Sequence, residues 1–376
     1  MVKAKPDIDW VKVVFLIASP IVAIGGTIVY ACYNSIHPVE IASFLVFFLL
    51  TEVAIGAGYH RYFAHRTYEC HWLVRLVHLV VAAGAWQNSA LPWASAHRRH
   101  HKFVDTEEDP YSIRKGALYA HMGWIFIKDP RDSDFTNAQD LLKDPLVVWQ
   151  DRYYTPLMLI VGLLVPTLIG LAIGRPLGGF LWGGLLRIVV VHHMIFCVNS
   201  VAHLFGTQPY SDKDSSRDSW WLAYLTSGEG YHNFHHAFPG DYRNGVRWYH
   251  WDPSKWWVSA LTLLRLTDRL NRTSDYAIAK ARLQMEFARI HKHFPAMAPG
   301  IWDRMQAAFL ERKNQLEVTM HEYYETRRKA AQMKKEEWQI AIQECKKNFE
   351  EAKCAWHELT QDFLATHAEW ANIPNL

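Results

Sequence analysis

The sequence predicts an all-α integral membrane protein with four transmembrane helices, a cytosolic helical cap and a C-terminal helical extension. Three observations support this fold class: four long apolar runs, polar segments rich in histidine at their ends, and a highly charged last hundred residues. The apolar runs cover residues 13–30, 41–59, 154–173 and 178–204. At 1.5 Å per helical residue, the 19 residues of the second run reach about 28 Å, close to the thickness of a hydrocarbon core.

The positions of Lys and Arg predict how these helices are oriented. No Lys or Arg lies in residues 34–40 and only Arg175 separates the third and fourth runs, whereas residues 60–152 contain twelve. Because positive residues accumulate on the cytosolic side, we expect both termini and the long middle segment in the cytosol. The apolar stretch 73–91 is interrupted by polar residues such as Arg75 and Asn88. It is therefore expected to be an interfacial or re-entrant helix, not a fifth span.

The composition excludes several classes of protein. A formal net charge of +3 over 376 residues is too small to indicate a nucleic-acid partner. The five cysteines form no CxxC pair, which argues against an iron–sulfur cluster and against a disulfide framework. The sequence has neither a GxGxxG motif after a predicted strand nor a CxxCH haem motif. We therefore expect any electrons that the protein uses to come from a separate protein.

Eight histidines concentrate in three short segments near the ends of apolar runs. Imidazole is the commonest metal ligand, and eight ligands exceed the needs of one tetrahedral zinc but suit two metals of higher coordination. In a His-x-x-His-His segment the rings share a helix face, so each triplet can supply one metal and reach toward a second. A spacing of five residues separates two rings by about 140° on an α-helix, so we expect the second span to end near His60. The segments are His60 to His65, His97-x-x-His100-His101 and His232-x-x-His235-His236.

The last apolar run carries further polar residues. Asn199 and His203 are one helical turn apart, and polar residues in a membrane helix face a bundle interior or a cavity. His203 is therefore a candidate ninth ligand, and Asn199 a ligand directly or through water; the simpler interpretation of the pair is an interhelical hydrogen bond. His192 and His193 lie too deep to join them and are expected to make hydrogen bonds inside the bundle or to be polar groups of a substrate tunnel. Glu52, in the second run, must find a partner or be neutral.

These residues stand within longer motifs. They include His65-Arg66-Thr67-Tyr68, His97-Arg-Arg-His-His-Lys-Phe103, Asn199-Ser-Val-Ala-His-Leu-Phe-Gly206 and Gly228-Glu-Gly-Tyr-His-Asn-Phe-His-His-Ala-Phe-Pro239. Over roughly residues 10–285, the order and spelling of these motifs resemble the membrane fatty-acid desaturases. The resemblance is closest to their acyl-CoA Δ9 (stearoyl-CoA-type) group, in its bacterial form.

The resemblance implies a cap that holds two iron ions. It also implies that the protein inserts a cis double bond into a saturated acyl chain with O2 and two electrons from a donor such as a ferredoxin or a cytochrome b5-type protein. One departure concerns the acyl carrier: related enzymes often have Trp-Ala-Arg-Asp before the second box, whereas this chain has Trp93-Ala-Ser-Ala96. CoA, acyl-carrier protein and lipid therefore all stay open as carriers. The iron ligands that the resemblance implies are His60, His65, His97, His100, His101, His203, His232, His235 and His236, with Asn199 acting through water.

An acyl chain requires an apolar tunnel with a few polar groups that fix its position, and a CoA head group requires cations. Each candidate also has a simpler interpretation as a packing residue, a solvated cation or a lipid-facing aromatic. The candidates are Gln87, Asn88 and Trp93 for the tunnel wall and its polar anchor, Arg98 and Lys102 among the cations, and Phe44 and Phe48 for the closed end.

The sequence divides into a membrane domain, residues 1–275, and a helical extension, residues 276–376. Residues 293–300 are expected to interrupt the extension because they contain two prolines and a glycine. A heptad pattern in its second part predicts a helical hairpin or coiled coil for self-association or partner docking, or alternatively a helix folded back on the cap. The apolar positions of this seam are Ile342, Cys345, Phe349, Ala352, Trp356, Leu359 and Phe363.

Two other functions remain open at this point. A fatty-acyl or lipid hydroxylase of the same histidine-box superfamily begins with the same hydrogen abstraction, and only analysis of the product separates it from a desaturase. A metal-binding membrane scaffold, with the coiled coil as its working part, would bind iron without O2-dependent turnover. In all three cases membrane lipid surrounds the protein.

Overall fold

The computed structural model describes residues 7–293 and 301–366. These residues are mostly helical, which confirms the all-α prediction. They divide into two compact units, the first comprising residues 7–206 and 213–272 and the second residues 207–212, 273–293 and 301–366.

The first unit contains the apolar helices and the histidine segments. Within the described ranges, four helices are long and apolar enough to cross a membrane, as the sequence predicts. They are Trp10–Tyr33, Pro38–Ala64, Tyr154–Ala172 and Pro176–Leu204. In chain order the elements are α1 (Trp10–Tyr33), α2 (Pro38–Ala64), β1 (Glu69–Cys70), α3 (Trp72–Ala83), α4 (Ala90–Phe103), α5 (Ala117–His121), α6 (Gln139–Leu142), α7 (Pro145–Arg152), α8 (Tyr154–Ala172), α9 (Pro176–Leu204), α10 (Trp220–Leu225), α11 (His232–Ala237), α12 (Pro253–Leu263) and β2 (Thr267–Asp268).

The last part of α2 is a π-helix, and this corrects the expectation that the helix ends near His60. The π segment covers Ala54–Ala64, and beyond it the N–H of His65 still donates to the carbonyl of His60 at 3.1 Å. A π turn contains one residue more than an α turn, which brings side chains five positions apart toward the same face. The ring centroids of His60 and His65 are consequently only 5.0 Å apart.

A buried arginine joins three helices inside the membrane bundle. The Arg187 guanidinium donates to the carbonyls of Gly162 at 3.0 Å and Gly183 at 3.1 Å, and also to that of Gly84. Gly162 and Gly183 belong to further π segments, Ile160–Leu164 of α8 and Gly179–Leu186 of α9. Backbone carbonyls in a membrane must find internal donors, so Arg187 stabilises these irregular turns.

Helix α3 does not span the membrane. Its 12 residues are too few to cross a hydrocarbon core, and the outward side chains of Trp72 and Leu73 are half exposed. An apolar helix with this exposed face fits the membrane surface. The short strands β1 and β2, paired antiparallel with Cys70 opposite Thr267, join the segment before α3 to the end of the first unit.

The second unit is built from α13 (Asp275–His293), α14 (Ile301–Arg328) and α15 (Lys335–Thr366). Helices α14 and α15 form an antiparallel hairpin, since the Trp338 indole donates to the carbonyl of Thr326 near the turn while Phe309 packs on Trp356 at the far end. Trp356 and Ala352, two residues of the predicted seam, are buried in this hairpin. The predicted interruption at residues 293–300 lies, after its first residue, outside the described residues, as does the side chain of Phe363.

Candidate metal centre

Nine histidines form two groups in the part of the chain that the structure describes. In each group one ring nitrogen from every histidine lies within 4.8 Å of all the others. The first group is His60, His65, His97, His101 and His235, and the second is His100, His203, His232 and His236.

Each helical triplet contributes to both groups. On α4, His97 and His101 are one turn apart and face the first group, whereas His100 faces the second. On α11 the arrangement is reversed, because His235 joins the first group while His232 and His236 join the second. Each triplet therefore contributes two rings to one group and one ring to the other.

The ring nitrogens converge as metal ligands would. The Nε2 atoms of His60 and His235 are 2.9 Å apart and those of His65 and His97 also 2.9 Å, while in the second group those of His203 and His232 are 3.1 Å apart. Crowding of so many acceptor nitrogens is unfavourable without a shared cation. The donor set fits two metals that accept imidazole.

The opposite side of several rings is held by carboxylates or hydroxyls. His60 Nδ1 lies 2.7 Å from Glu229, and His100 Nδ1 lies 2.9 Å from Asp109. Hydrogen bonds of this kind fix the ring so that Nε2 carries the lone pair and points to the metal. In the same way His203 Nδ1 donates to the Ser215 hydroxyl at 2.8 Å.

These acidic partners are functional residues that the sequence reasoning missed. Glu229 stands three positions before His232, and Asp109 eight positions after His101, so their proximity to histidine segments was the available signal. Glu229 also accepts from the buried Arg61 at 3.0 Å. Burial alone would raise the pKa of the Glu229 carboxyl, but His60 and Arg61 beside it hold that pKa below the ordinary value.

The surroundings keep six histidines of the two groups neutral. Burial lowers the pKa of these six well below the usual value for histidine, and neighbouring imidazoles lower it further. A neutral ring offers its lone pair to a metal, whereas a protonated ring does not. The six are His65, His97, His101, His232, His235 and His236.

A cavity of about 270 Å³ opens beside both groups. Its wall includes His60 and His97 of the first group and His100 and His232 of the second, and Asn199 also lines it. Asn199 lies one turn before His203, a member of the second group, on α9.

The predicted wall residues line this cavity. Gln87, Asn88 and Trp93 are all part of its surface, and the Trp93 ring stacks on His97 with centroids 5.1 Å apart. Asn88 and Trp86, two positions before it, have positive φ angles of 71° and 58°. This backbone conformation costs non-glycine residues conformational free energy. The turn before α4 is therefore strained where it faces the cavity.

The other substrate-binding candidates lie elsewhere. Phe44 and Phe48 stack on each other, with Phe44 against Trp182, and are not part of the described cavity wall. Arg98 is engaged by Asp140 at 2.6 and 2.8 Å and by two backbone carbonyls at the end of α2. Lys102 points over the Phe103 ring.

The cations that do line the cavity are Lys12 and Arg99. The side chain of Lys12 is 41% exposed and pairs with Asp9, so the cavity reaches the surface beside it. Arg99 pairs with Asp132, also a lining residue, at 2.9 Å. The sequence offered no signal for Lys12, which stands in α1, far along the chain from the histidine segments.

The deeper histidines have protein partners. His192 Nε2 lies 2.9 Å from the carbonyl of Ala85, and His193 Nδ1 lies 3.0 Å from His121 Nε2. These contacts are the hydrogen bonds inside the bundle that were expected.

Comparison with known proteins agrees with this geometry. The family model described as "Fatty acid desaturase" matches residues 36–266. The chain is 38% identical to Acyl-CoA desaturase 1 of Saccharomyces cerevisiae over 290 residues, which cover 76% of this chain and 56% of that protein. It is 34% identical to Stearoyl-CoA desaturase 5 of Bos taurus over 240 residues, 62% of this chain and 72% of that protein.

The matched region contains both histidine groups and ends before residue 273, where the C-terminal part of the second unit begins. The matched regions cover 56% of the Saccharomyces cerevisiae protein and 58% of a probable acyl-CoA desaturase of Schizosaccharomyces pombe. The chain therefore spans little more than half of the length of these two relatives. The four apolar helices fit an integral membrane protein. By the match of more than half of its residues to the family model, the chain belongs to the fatty acid desaturase family.

Proposed function

We propose that this protein is an O2-dependent acyl-CoA desaturase that inserts a cis double bond at the Δ9 position of a saturated fatty acyl chain. One observation carries the proposal: two groups of imidazoles face a single cavity whose wall is otherwise largely apolar. The relatives named as acyl-CoA desaturases support the substrate class.

The two histidine groups would hold two iron ions, with Asn199 joining the second group through water. Once bound, the iron pair would supply the one-electron chemistry with O2 that breaks unreactive C–H bonds. All-imidazole ligation suits a late transition metal such as iron. The carboxylates of Glu229 and Asp109 would orient the ligand rings, because each accepts a hydrogen bond from an Nδ1 atom.

The cavity wall would fix which methylenes react. Trp93, stacked on His97, would press the acyl chain toward the metal centre, and Gln87 and Asn88 would anchor its polar end. Phe44 and Phe48, which do not line the cavity, are proposed only as a limit for longer chains. Overall, two adjacent methylenes each lose one hydrogen, and with O2, two electrons and two protons the products are an alkene and two waters.

Electrons would come from a separate donor such as a ferredoxin or a cytochrome b5-type protein. The excess of Lys and Arg in residues 60–152 supports a cytosolic position for the metal centre and both termini, where such a donor would have access. Lys12 and Arg99, at the cavity, would contact the phosphates of CoA. Arg98 and Lys102 are weaker candidates for that contact, since Arg98 is held by Asp140 and Lys102 lies outside the cavity wall.

Self-association through the second unit stays a prediction. Its seam residues Ala352 and Trp356 are buried between its own helices, so a second copy would have to use other positions. Size-exclusion chromatography with light scattering on the full chain and on Leu310→Glu, an exposed apolar residue of α14, tests this. A lower molar mass for Leu310→Glu than for the unsubstituted chain would support self-association through this face of α14.

The activity is tested by gas chromatography of fatty acids from cells with and without the protein. A new cis monoene with its bond at Δ9 is the expected product, and a hydroxylated acyl chain would indicate the hydroxylase instead. Iron binding by the purified protein with neither product would favour a metal-binding scaffold.

A further inference from the structure

Glu52 is a buried carboxyl group that the proposed chemistry does not use. It lies on α2 eight residues before His60, toward the start of the helix. Glu52, Gly56 and His60 follow at intervals of four residues, and all three line the cavity. The carboxyl therefore faces the cavity deeper in the membrane span than the metal centre.

This carboxyl has no hydrogen-bond partner among the described residues. Its Oε1 atom is buried and unpaired, and the whole residue is 3% exposed. Glu229 lies nearby but does not pair with Glu52, because its carboxylate contacts His60, Arg61 and Asn244. A buried polar group without a partner is unfavourable, so the site is complete only when something in the cavity bonds to it.

No described residue of the cavity wall makes that bond in this structure. The lining residues beside α2 include Ile55 on the same helix and Ile195 and Phe196 on α9, which are apolar. An unsubstituted acyl chain in this part of the cavity would leave the carboxyl unpaired. A hydroxyl group both donates and accepts, so it would satisfy the carboxyl whether that group is ionised or protonated.

We propose that Glu52 makes the cavity selective for acyl chains that carry a hydroxyl group beyond the reacting carbons. This inference rests on the proposed function, since it requires that the acyl chain occupies this cavity. Sites built to hydrogen-bond a hydroxyl discriminate strongly against the analogue that lacks it, because their polar group is then left unpaired.

The test is a binding measurement on the iron-loaded full chain without reductant. Stearoyl-CoA is compared with a series of hydroxystearoyl-CoA isomers substituted from mid-chain to the methyl end. At least one isomer should bind about tenfold more tightly than stearoyl-CoA. Glu52→Leu should abolish that preference and Glu52→Gln should keep most of it.

Thr51→Val is the matched control. Thr51 is a buried polar residue in the same turn, but it bonds to the carbonyl of Phe47 in its own helix, so its removal should leave the preference unchanged. The inference is overturned if no isomer binds more tightly than stearoyl-CoA, or if Glu52→Leu keeps the preference.

Turnover with reductant and O2 separates the two claims. A monoene formed from stearoyl-CoA without any preference for hydroxylated chains would leave the proposed function standing and refute the role of Glu52. If the protein neither binds nor converts any of these acyl-CoAs, both claims fail.

Discussion

The Nδ1 atom of His60 and the Glu229 carboxylate are 2.7 Å apart, although 169 positions separate them in the chain. The same carboxylate accepts from the buried Arg61. Glu229 thus orients the ring of His60, a proposed metal ligand, and also holds Arg61 beside it.

Glu229→Gln should weaken metal binding at the first group. The amide is uncharged and cannot hold His60 and Arg61 together as the carboxylate does, and loss of such a partner typically weakens metal affinity about 10- to 100-fold. Titration of the metal-free protein with Fe²⁺ measures the effect. Glu336→Gln, at an exposed position of α15, is the control, and equal affinity in the two variants would argue against the role of Glu229.

Gly58→Ala should destabilise the packing of α3 on the π segment. A Cβ atom at Gly58 would lie 2.7 Å from the Cβ of the buried His78, and overpacking of this kind costs about 1–3 kcal/mol. Gly25→Ala on α1 is the matched control, since nothing lies within 4 Å of its added Cβ. Thermal unfolding in detergent should show a lower midpoint for Gly58→Ala only; similar midpoints for the two variants would contradict this packing.

Arg187→Met should destabilise the membrane bundle. The substitution leaves the carbonyls of Gly84, Gly162 and Gly183 without their donor, and each unpaired buried group costs about 1–3 kcal/mol. Arg187→Lys keeps a cationic donor but not the branched guanidinium, so it should destabilise the bundle less than Arg187→Met does. Unfolding midpoints measured in the same detergent should fall in the order wild type, Lys, Met, and an unchanged midpoint for Met would rule out a structural role for the guanidinium.

Lys12→Gln should raise the KM for acyl-CoA several-fold and change kcat little. Lys12 lines the cavity where it reaches the surface, whereas Lys102 does not, so Lys102→Gln is the charge-matched control. Because the interaction is electrostatic and partly exposed, the difference should shrink as salt concentration increases. Equal KM values for the two variants at low salt would place the carrier phosphates elsewhere.

The sequence predicted the four spans and the histidine segments because both depend on local patterns: apolar length in one case and ligand spacing in the other. It did not predict that α2 continues through His60 as a π-helix, since a 3.6-residue period is assumed when a helix is read from sequence. The pairing of Glu229 with His60 was not predicted either, because that contact depends on how α2 meets the segment before α11. The seam on α15 was recognised, but whether α14 or a second copy covers it depends on tertiary packing.

The nine histidines form two groups, divided within the adjacent pair His100 and His101, and each group is proposed to hold its own metal. The decisive measurement is the iron content of purified variants after reconstitution. His100→Ala should abolish monoene formation and lower iron from about two ions per chain to about one, because each site depends on its own ligands. The control His357→Ala, on α15, should keep both ions.

Double variants make the division explicit. His100→Ala with His203→Ala damages only the second group, so about one iron ion should remain. His100→Ala with His101→Ala damages both groups, so iron should be almost lost. Equal iron content in these two double variants, or full activity and normal iron in His100→Ala, would contradict the two-site arrangement.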